Sequence, residues 1–296
     1  MKAQFDHILS SSFYLWFDDK LTREADAKID TGGQLFDAVV RGGSEQATDL
    51  PNNLDAYYCA DRQLVCNGAS EPSGVYIDGA FHKQGDAPHN LLIDHNEGRI
   101  LTKSVSTGGA DLISNTISGN FKRKELNVYI TNETEEQLLI QNDFVLGDVI
   151  GEPTYLQQQA DLGEKKYTLP AAFISLNSSA NEAWAIGGVE DTRSLIRVVV
   201  ITDSNYALDA TLSLFRDCGR SSFKLIDFEN FPFGQFYHVK SFPYNYLDFI
   251  SSNCADLSPA FIERVVVSKL FDRSGTQIPQ GLRVGFIDFE VSTIRL

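Results

Sequence analysis

The sequence predicts an α+β fold with an N-terminal helix, a β-rich middle region and a C-terminal mixed α/β sheet domain. Apolar residues at helical spacing occur near the start, and short β-rich runs separated by Gly, Asn, Asp and Pro fill the middle. Near the end, a long apolar strand runs directly into an amphipathic helix. The 296 residues are 43% apolar, so the chain can bury a substantial core as two domains or one large domain.

Residues 1–29 are predicted to form the N-terminal helix. Its inner face is marked by residues spaced three and four apart, namely Phe5, Ile8, Leu9, Ser12, Phe13 and Trp16. Residues 30–53 are predicted to form a Gly-rich arm or linker, because two Gly-Gly pairs flank a short apolar run and a polar stretch follows. Such an arm is expected to become ordered on a neighbouring subunit.

Residues 54–185 are predicted to form a β-rich domain. One of its hairpins is expected to turn at Asn96, Glu97 and Gly98, with glycine in the left-handed conformation. In that hairpin Leu91, Ile93 and His95 share the apolar face, because side chains alternate along a strand.

Residues 186–296 are predicted to form the α+β domain. Its first strand contains the run SLIRVVVIT, and Asp203 or Ser204 caps the helix that follows. The inner stripe of this helix is Leu208, Thr211, Leu212 and Phe215, with Gly219 as its C-terminal stop. The run SSFKLIDF is expected to return as a strand and complete a β-α-β unit. Two long strands joined by a turn containing Gly and Pro close the chain.

The formal net charge of −15 argues against nucleic-acid binding, which requires Lys and Arg to displace counterions from phosphates. No apolar run approaches the roughly 20 residues that span a bilayer, and the start of the chain lacks the features of a signal peptide. We therefore expect synthesis in the cytoplasm, no membrane partner, and four cysteines present as thiols.

The segment FHKQGDAPHNLLIDHNEGRI, residues 81–100, contains His82, His89 and His95 among carboxylates. The spacing of these histidines does not match a zinc motif. The predicted hairpin also turns His95 toward the apolar side and leaves His89 in a loop, so the sequence predicts no metal site. There is no Gly-rich phosphate loop and no nucleophile elbow. The sequence thus predicts no catalytic residues and no cofactor.

The segment 228–249 is unusually rich in Phe and Tyr. It is interpreted as an aromatic loop covering a sheet, as a subunit interface, or as a sugar-binding platform; aromatic residues are enriched where subunits meet. The residues of the interface hypothesis are Gly32, Gly33, Phe36, Val39 and Val40 in the arm, and Phe231, Phe233, Phe236, Tyr237, Phe242, Tyr244 and Tyr246 in the aromatic segment.

Two passages carry a resemblance to a known class of proteins. EPSGVYIDGAFHKQGDAPHNLLIDHNEGRIL is similar to a pattern in virion structural proteins of tailed bacteriophages. SLIRVVVITDSNYALDATLSLFRDCGRSSFKLIDF, with the closing RVGFIDFEVSTIRL, resembles the later part of such proteins. The resemblance implies a non-enzymatic virion component made in the host cytoplasm. It implies a homo-oligomeric ring at the neck or tail, in head–tail joining or tail completion, in contact with other neck or tail proteins.

Two alternatives remain from the residues. In the first, the chain is a ligand- or glycan-binding module of a tail that uses the aromatic segment. In the second, it is an acidic hydrolase in which two of the 40 Asp and Glu residues act as an acid–base pair.

Overall fold

The computed structural model describes residues 5–30, 34–36, 38–41, 53–59, 63–68, 70–87, 89–103, 108–109, 112, 115–141, 143–146, 155–156, 166–183, 190–235, 237–254, 259–270 and 281–295. These form two compact units. Unit 1 comprises Met1–Ala25, Leu126–Phe231 and Leu247–Leu296, and unit 2 comprises Asp26–Glu125 and Pro232–Tyr246. The α+β class is confirmed, with an N-terminal helix and a mixed sheet in the C-terminal half.

The helices are α1 (Phe5–Asp19), α2 (Glu135–Gln141), α3 (Asn205–Arg216) and α4 (Tyr246–Ser252). The strands are β1 (Lys28–Ile29), β2 (Gln34–Leu35), β3 (Ala38–Arg41), β4 (Leu54–Tyr58), β5 (Gly74–Ile77), β6 (Ala80–Lys83), β7 (Leu92–Asp94), β8 (Arg99–Lys103), β9 (Ile117–Gly119), β10 (Arg123–Lys124), β11 (Asn127–Ile130), β12 (Asp143–Leu146), β13 (Tyr155–Leu156), β14 (Lys166–Leu169), β15 (Ala171–Ala183), β16 (Glu190–Thr202), β17 (Ser222–Phe223), β18 (Ala260–Leu270) and β19 (Arg283–Arg295).

A six-stranded sheet with the order β11-β15-β16-β19-β18-β17 forms the frame of unit 1. Strand β11 runs parallel to β15, and the other neighbours are antiparallel. The predicted apolar strand lies at the centre as β16, where Val198 to Ile201 are buried on both faces. The sheet includes both β15 and β16, so the segment boundary expected at 185/186 falls inside it. The boundary expected at 53/54 falls within unit 2.

One face of this sheet is covered by α1 and α3. The rings of Phe13 and Phe289 lie 4.9 Å apart, and Phe17 stacks on Phe215 at 4.0 Å. The Ser204 side chain accepts a hydrogen bond from the backbone of Ala207, which confirms one of the two predicted caps of α3. The predicted inner stripe is also confirmed, because Leu208, Thr211, Leu212 and Phe215 are the buried residues of α3.

The opposite face is covered at one end by α2 and β14. Leu138 of α2 and Tyr167 of β14 join an apolar cluster with Phe173, Val199 and Val284 of the sheet. Aromatic contacts reinforce it, since the rings of Tyr167 and Phe173 lie 4.8 Å apart. Strands β12, β13 and β14 form a further three-stranded sheet in this unit.

Close packing of α3 on β19 depends on Gly285. A Cβ atom at this position would lie 2.9 Å from Leu208 Cδ1 and 3.1 Å from Leu212 Cδ1. We expect Gly285→Val to lower the free energy of unfolding by about 1–3 kcal/mol, because overpacking forces the helix away from the sheet. Urea unfolding measures this loss. Gly219→Ala is the control, since a Cβ there meets nothing within 4 Å; equal stability of Gly285→Val and wild type would contradict the prediction.

Unit 2 contains two four-stranded sheets, with the orders β2-β9-β5-β6 and β3-β4-β8-β7, and the short pair β1-β10. Apolar side chains from both four-stranded sheets meet in one core. Its members are Phe36, Tyr57, Cys59, Leu64, Val75, Ile77, Leu91, Ile93, Ile100, Leu112, Ile117 and Phe121. Gly98 adopts φ +63° in the turn between β7 and β8, as predicted for this hairpin.

Three element predictions are corrected. The N-terminal helix ends with a π-helical turn at Glu24 rather than at residue 29, because Asp26 takes a left-handed conformation with φ +53°. The strand expected in SSFKLIDF is limited to the two residues of β17, which pairs antiparallel with β18, so it does not complete a β-α-β unit beside β16. After α3 the left-handed residue is Arg220, with φ +68°, rather than Gly219.

The expected arm, 30–53, also differs where it is described. Residues 34–35 form β2 and residues 38–41 form β3, each paired within unit 2. The side chain of Phe36 is buried in the core of that unit, and its backbone N–H donates to the Ile117 carbonyl at 2.9 Å. Burial of the Phe36 side chain in this core stabilises the folded state of unit 2. This explains why the described residues of the stretch belong to the unit and do not form a free arm.

Candidate assembly surface

Strand β18 presents an open edge of the unit 1 sheet. On one side it pairs with β19 as far as Leu270. On the other side β17 pairs with Ala260 and Phe261 alone, and Ile262 exchanges backbone hydrogen bonds with Arg220 and Ser221. Beyond Ile262, the described part of the chain places no strand against this side of β18. A row of unpaired backbone donors and acceptors of this kind is a template for another strand.

The middle of this edge carries three consecutive valines, which lie between Arg264 and Ser268. Val265 and Val267 are half-buried, and Val266 between them is 36% exposed. Three consecutive β-branched residues favour the extended conformation that strand pairing requires. A register shift between Ile262 and Arg264 and the charge of Lys269 limit the apolar stretch at its two ends. The central part of the edge is therefore suited to pairing with another chain.

A groove of about 750 Å³ lies between β18 and the outer side of α3. It is lined by Tyr206, Asp209, Ala210, Leu212, Ser213, Arg216, Val267, Ser268 and Lys269. The Lys269 ammonium forms an ion pair with the Asp209 carboxylate, and Tyr206 is 85% exposed. A groove between a helix and an open strand provides backbone pairing on one wall and side-chain contacts on the other, as in β-strand addition.

The interface residues hypothesised from the sequence lie elsewhere. Four of these side chains are buried in the single chain, namely Phe36, Phe233, Tyr244 and Tyr246. Tyr237 and Phe242 of unit 2 and Phe231 of unit 1 are half-buried, and Phe242 packs against the unit 2 core. Val39 and Val40 belong to β3, opposite Tyr57 and Ala56 of β4. Gly32, Gly33 and Phe236 lie outside the described residues.

The aromatic segment corresponds most closely to the interpretation as a covering loop. The Gly234 and Lys240 backbones hydrogen-bond to His238 and Pro232, which closes the segment on itself. The Gln84 side chain donates to the Val239 carbonyl at 2.7 Å and ties the segment to the sheets of unit 2. The sequence showed the unusual composition, but the side that these rings face depends on contacts far along the chain.

The three histidines of residues 81–100 do not converge on one point. The rings of His82 and His89 lie 5.1 Å apart, edge to face, whereas His95 contacts Phe121 and Phe242 at about 6 Å. Burial, followed by repulsion from His82, lowers the pKa of His89. Among the residues that the structure describes, no group of three or more His, Cys, Asp and Glu side chains is arranged to hold a metal ion. The close approach of His82 and His89 was not predicted from the sequence.

His95 is fully buried on the apolar face of its hairpin, as predicted. Neither ring nitrogen has a hydrogen-bond partner in the described part of unit 2. Burial, with smaller contributions from the charges of Lys124 and His238, lowers the pKa of His95 to about 3, while the Leu64 backbone opposes that change. The imidazole is therefore neutral near neutral pH and serves as a core side chain.

A pair of carboxylates does converge in unit 1, at Arg197. The guanidinium donates to both carboxylate oxygens of Asp288, at 2.6 and 2.8 Å, and also to Glu135. These bonds, chiefly those to Asp288, raise the pKa of Arg197. Because one guanidinium binds both carboxylates, this cluster connects α2 to the sheet and does not resemble two carboxyl groups arranged around a scissile bond.

The four cysteines, all of them described, form no disulfide; Cys59, Cys66 and Cys218 are buried, whereas Cys254 is exposed. Within the described residues, no helix combines the length and apolar character needed to cross a lipid bilayer.

No protein-family model matches the chain, and no curated protein matches its sequence significantly.

Proposed function

We propose that this protein is a non-enzymatic structural component of a tailed-phage virion, assembled as a homo-oligomeric ring at the neck or tail in head–tail joining or tail completion. It is made in the host cytoplasm and contacts other neck or tail proteins. The assembly proposal rests on the open edge of β18, with its three valines, and on the groove between β18 and α3. The phage assignment is supported by the resemblance of residues 71–101, 194–228 and 283–296 to virion structural proteins.

A ring requires two different surfaces on each copy, because identical surfaces that meet across a two-fold axis close into a dimer. The β18 edge supplies one surface. Strand β6 supplies a second, since it ends the order of its sheet in unit 2 and carries the exposed Phe81. Tyr76 lies opposite Phe81 on β5 and is also exposed, with the two rings 5.3 Å apart. An extended, aromatic edge is suited to pairing with an open strand of a neighbouring copy.

The test is the effect of Val266→Lys on assembly, measured by light scattering with negative-stain images of the same sample. Wild type is expected to form closed rings. The variant is expected to need at least tenfold higher concentration, since Lys on an edge strand opposes pairing. Val266 is 36% exposed, so a lysine side chain at this position can reach solvent without disturbing the fold.

Leu247→Lys is the matched control, because Leu247 is an exposed apolar residue that belongs to α4 and not to β18. Circular dichroism of both variants should match wild type. Rings formed equally well by Val266→Lys would show that the β18 edge is not the interface. A wild-type chain that remains monomeric at high concentration would contradict the ring and favour the ligand-binding alternative.

The exposed pair Tyr76 and Phe81 offers the glycan-binding alternative a second aromatic surface, because Phe233, Tyr244 and Tyr246 of the aromatic segment are buried. Tyr76→Ala and Phe81→Ala are expected to abolish signals on a glycan array in that case, while rings persist. Loss of rings in these variants without any glycan signal would instead assign the pair to the subunit interface.

A further inference from the structure

His82 and His89 form a pair of facing imidazoles on the surface of unit 2. His82 lies in β6, opposite Val75 of β5, and His89 lies in the loop between β6 and β7. Their ring centroids are 5.1 Å apart and the planes are inclined by 81°. The pair belongs to unit 2, whereas the β18 edge and the Arg197 cluster belong to unit 1.

The loop that carries His89 is fixed by backbone hydrogen bonds. Gly85 donates to the Leu91 carbonyl at 2.8 Å, and Asn90 donates to the Asp86 carbonyl at 3.0 Å. The His89 carbonyl itself accepts from the Lys103 backbone of β8 at 3.2 Å. His82 is held by strand pairing, so both imidazoles project from ordered backbone. Side chains on fixed backbone hold a ligand with smaller loss of conformational freedom.

The His89 imidazole leaves one ring nitrogen without a partner beside His82. The Nδ1 atom of His89 is buried and has no hydrogen-bond partner among the described residues. Both side chains are half-buried. Polar atoms buried without a partner are uncommon in folded proteins, because each costs desolvation free energy. A buried imidazole nitrogen without a partner, beside a second imidazole, is therefore available to bind a ligand.

We propose that His82 and His89 together bind one divalent transition-metal ion of the class that includes Zn²⁺, Ni²⁺ and Cu²⁺. Imidazole nitrogen is a preferred ligand for these ions, whereas Mg²⁺ and Ca²⁺ prefer oxygen. Metal–nitrogen bonds of about 2.0–2.1 Å at a tetrahedral angle place two ring centroids about 5 Å apart, which agrees with the spacing of this pair. Water occupies the remaining coordination positions.

The proposal is tested by isothermal titration calorimetry of the full chain with ZnCl₂ and with NiCl₂ at about pH 7.5, where an ordinary imidazole is mostly neutral. We expect one ion per chain. His82→Ala and His89→Ala should each weaken binding at least tenfold, and the double variant should not bind. His7→Ala is the control for loss of an exposed histidine and should bind as wild type does. MgCl₂ should give no binding heat.

Three results would overturn the proposal: no zinc or nickel binding by wild type, unchanged binding by both single variants, or equal loss in the His7 control. His82 lies on the edge strand β6, so His82→Gln provides a second variant if His89→Ala fails to fold. Circular dichroism without metal checks the fold of each variant. The measurement needs no assembled particle. Because His82 lies on β6, which the ring proposal assigns to the second surface, light scattering of each sample shows whether monomers or rings are titrated.

Discussion

Acidification from pH 7 to pH 3 is expected to remove about 4 kcal/mol of folding free energy through His95 alone, because its pKa is lowered from 6.5 to about 3 by burial. The unfolded chain takes up a proton on this imidazole below pH 6.5, whereas the folded chain does not until about pH 3. Between these values the unfolded state binds more protons, so stability falls as the pH falls. Above pH 6.5 this contribution is fully present.

His95→Leu isolates the effect, since leucine is similar in volume and carries no titratable group. The backbone bond from Leu64 to the carbonyl of residue 95 remains possible. We expect the variant to be no less stable than wild type at pH 7, because it replaces ring nitrogens that have no partner among the described residues. Near pH 3 it should exceed wild type by about 4 kcal/mol.

Hydrogen exchange of the peptide that spans residues 91–101, measured across this pH range, reports the opening of the hairpin. His7→Leu controls for the removal of an exposed imidazole and should follow wild type. Parallel pH profiles for wild type and His95→Leu would show that His95 does not carry the acid sensitivity.

Arg99→Met is expected to destabilise unit 2 by about 3–5 kcal/mol, because it leaves a buried carboxylate without its cation. The Asp94 and Arg99 side chains are 2% and 5% exposed, with the Nε and Oδ2 atoms 2.8 Å apart. Arg99 also donates to the Tyr58 hydroxyl at 2.8 Å. The other Asp94 oxygen accepts the backbone N–H groups of Asn96 and Glu97, so one carboxylate links the hairpin turn to the guanidinium.

The double variant Asp94→Asn/Arg99→Met should be more stable than Arg99→Met alone, since the amide removes the uncompensated charge and can still accept the turn hydrogen bonds. Urea unfolding measures all three chains. Arg216→Met is the matched control, because its ion pair with Asp217 is exposed and should contribute less than about 1 kcal/mol. A similar small loss in Arg99→Met would contradict the role assigned to the buried pair.

Local sequence signals predicted the elements whose pattern is set by neighbours in the chain. Strand β16, the Ser204 cap and inner stripe of α3, and the Gly98 turn agree with the structure. His95 lies on the apolar face for the same reason, because alternation along a strand fixes its side without reference to distant residues. The acidic composition likewise argues against nucleic-acid binding, and the spacing of the histidines does not match a zinc motif.

The candidate surface could not be predicted in this way. Whether β18 is a central or an edge strand depends on how much of β17 pairs with it, and that is decided by residues about forty positions earlier in the chain. The contact between His82 and His89 depends on backbone hydrogen bonds such as the one from Gly85 to Leu91, which the spacing of the histidines does not specify. Whether the side chains of Phe36 and Tyr244 are buried depends on two segments that lie far apart in the sequence and come together in unit 2.

The sequence by itself determined the fold class, the central apolar strand, the capped helix and the hairpin that buries His95, since these follow from periodicity, capping and turn chemistry between near neighbours. The tertiary structure decided which strand is left open, which aromatic rings are buried, and which two histidines meet. Each of these is set by long-range pairing, where burial of apolar area outweighs the local preference of the chain.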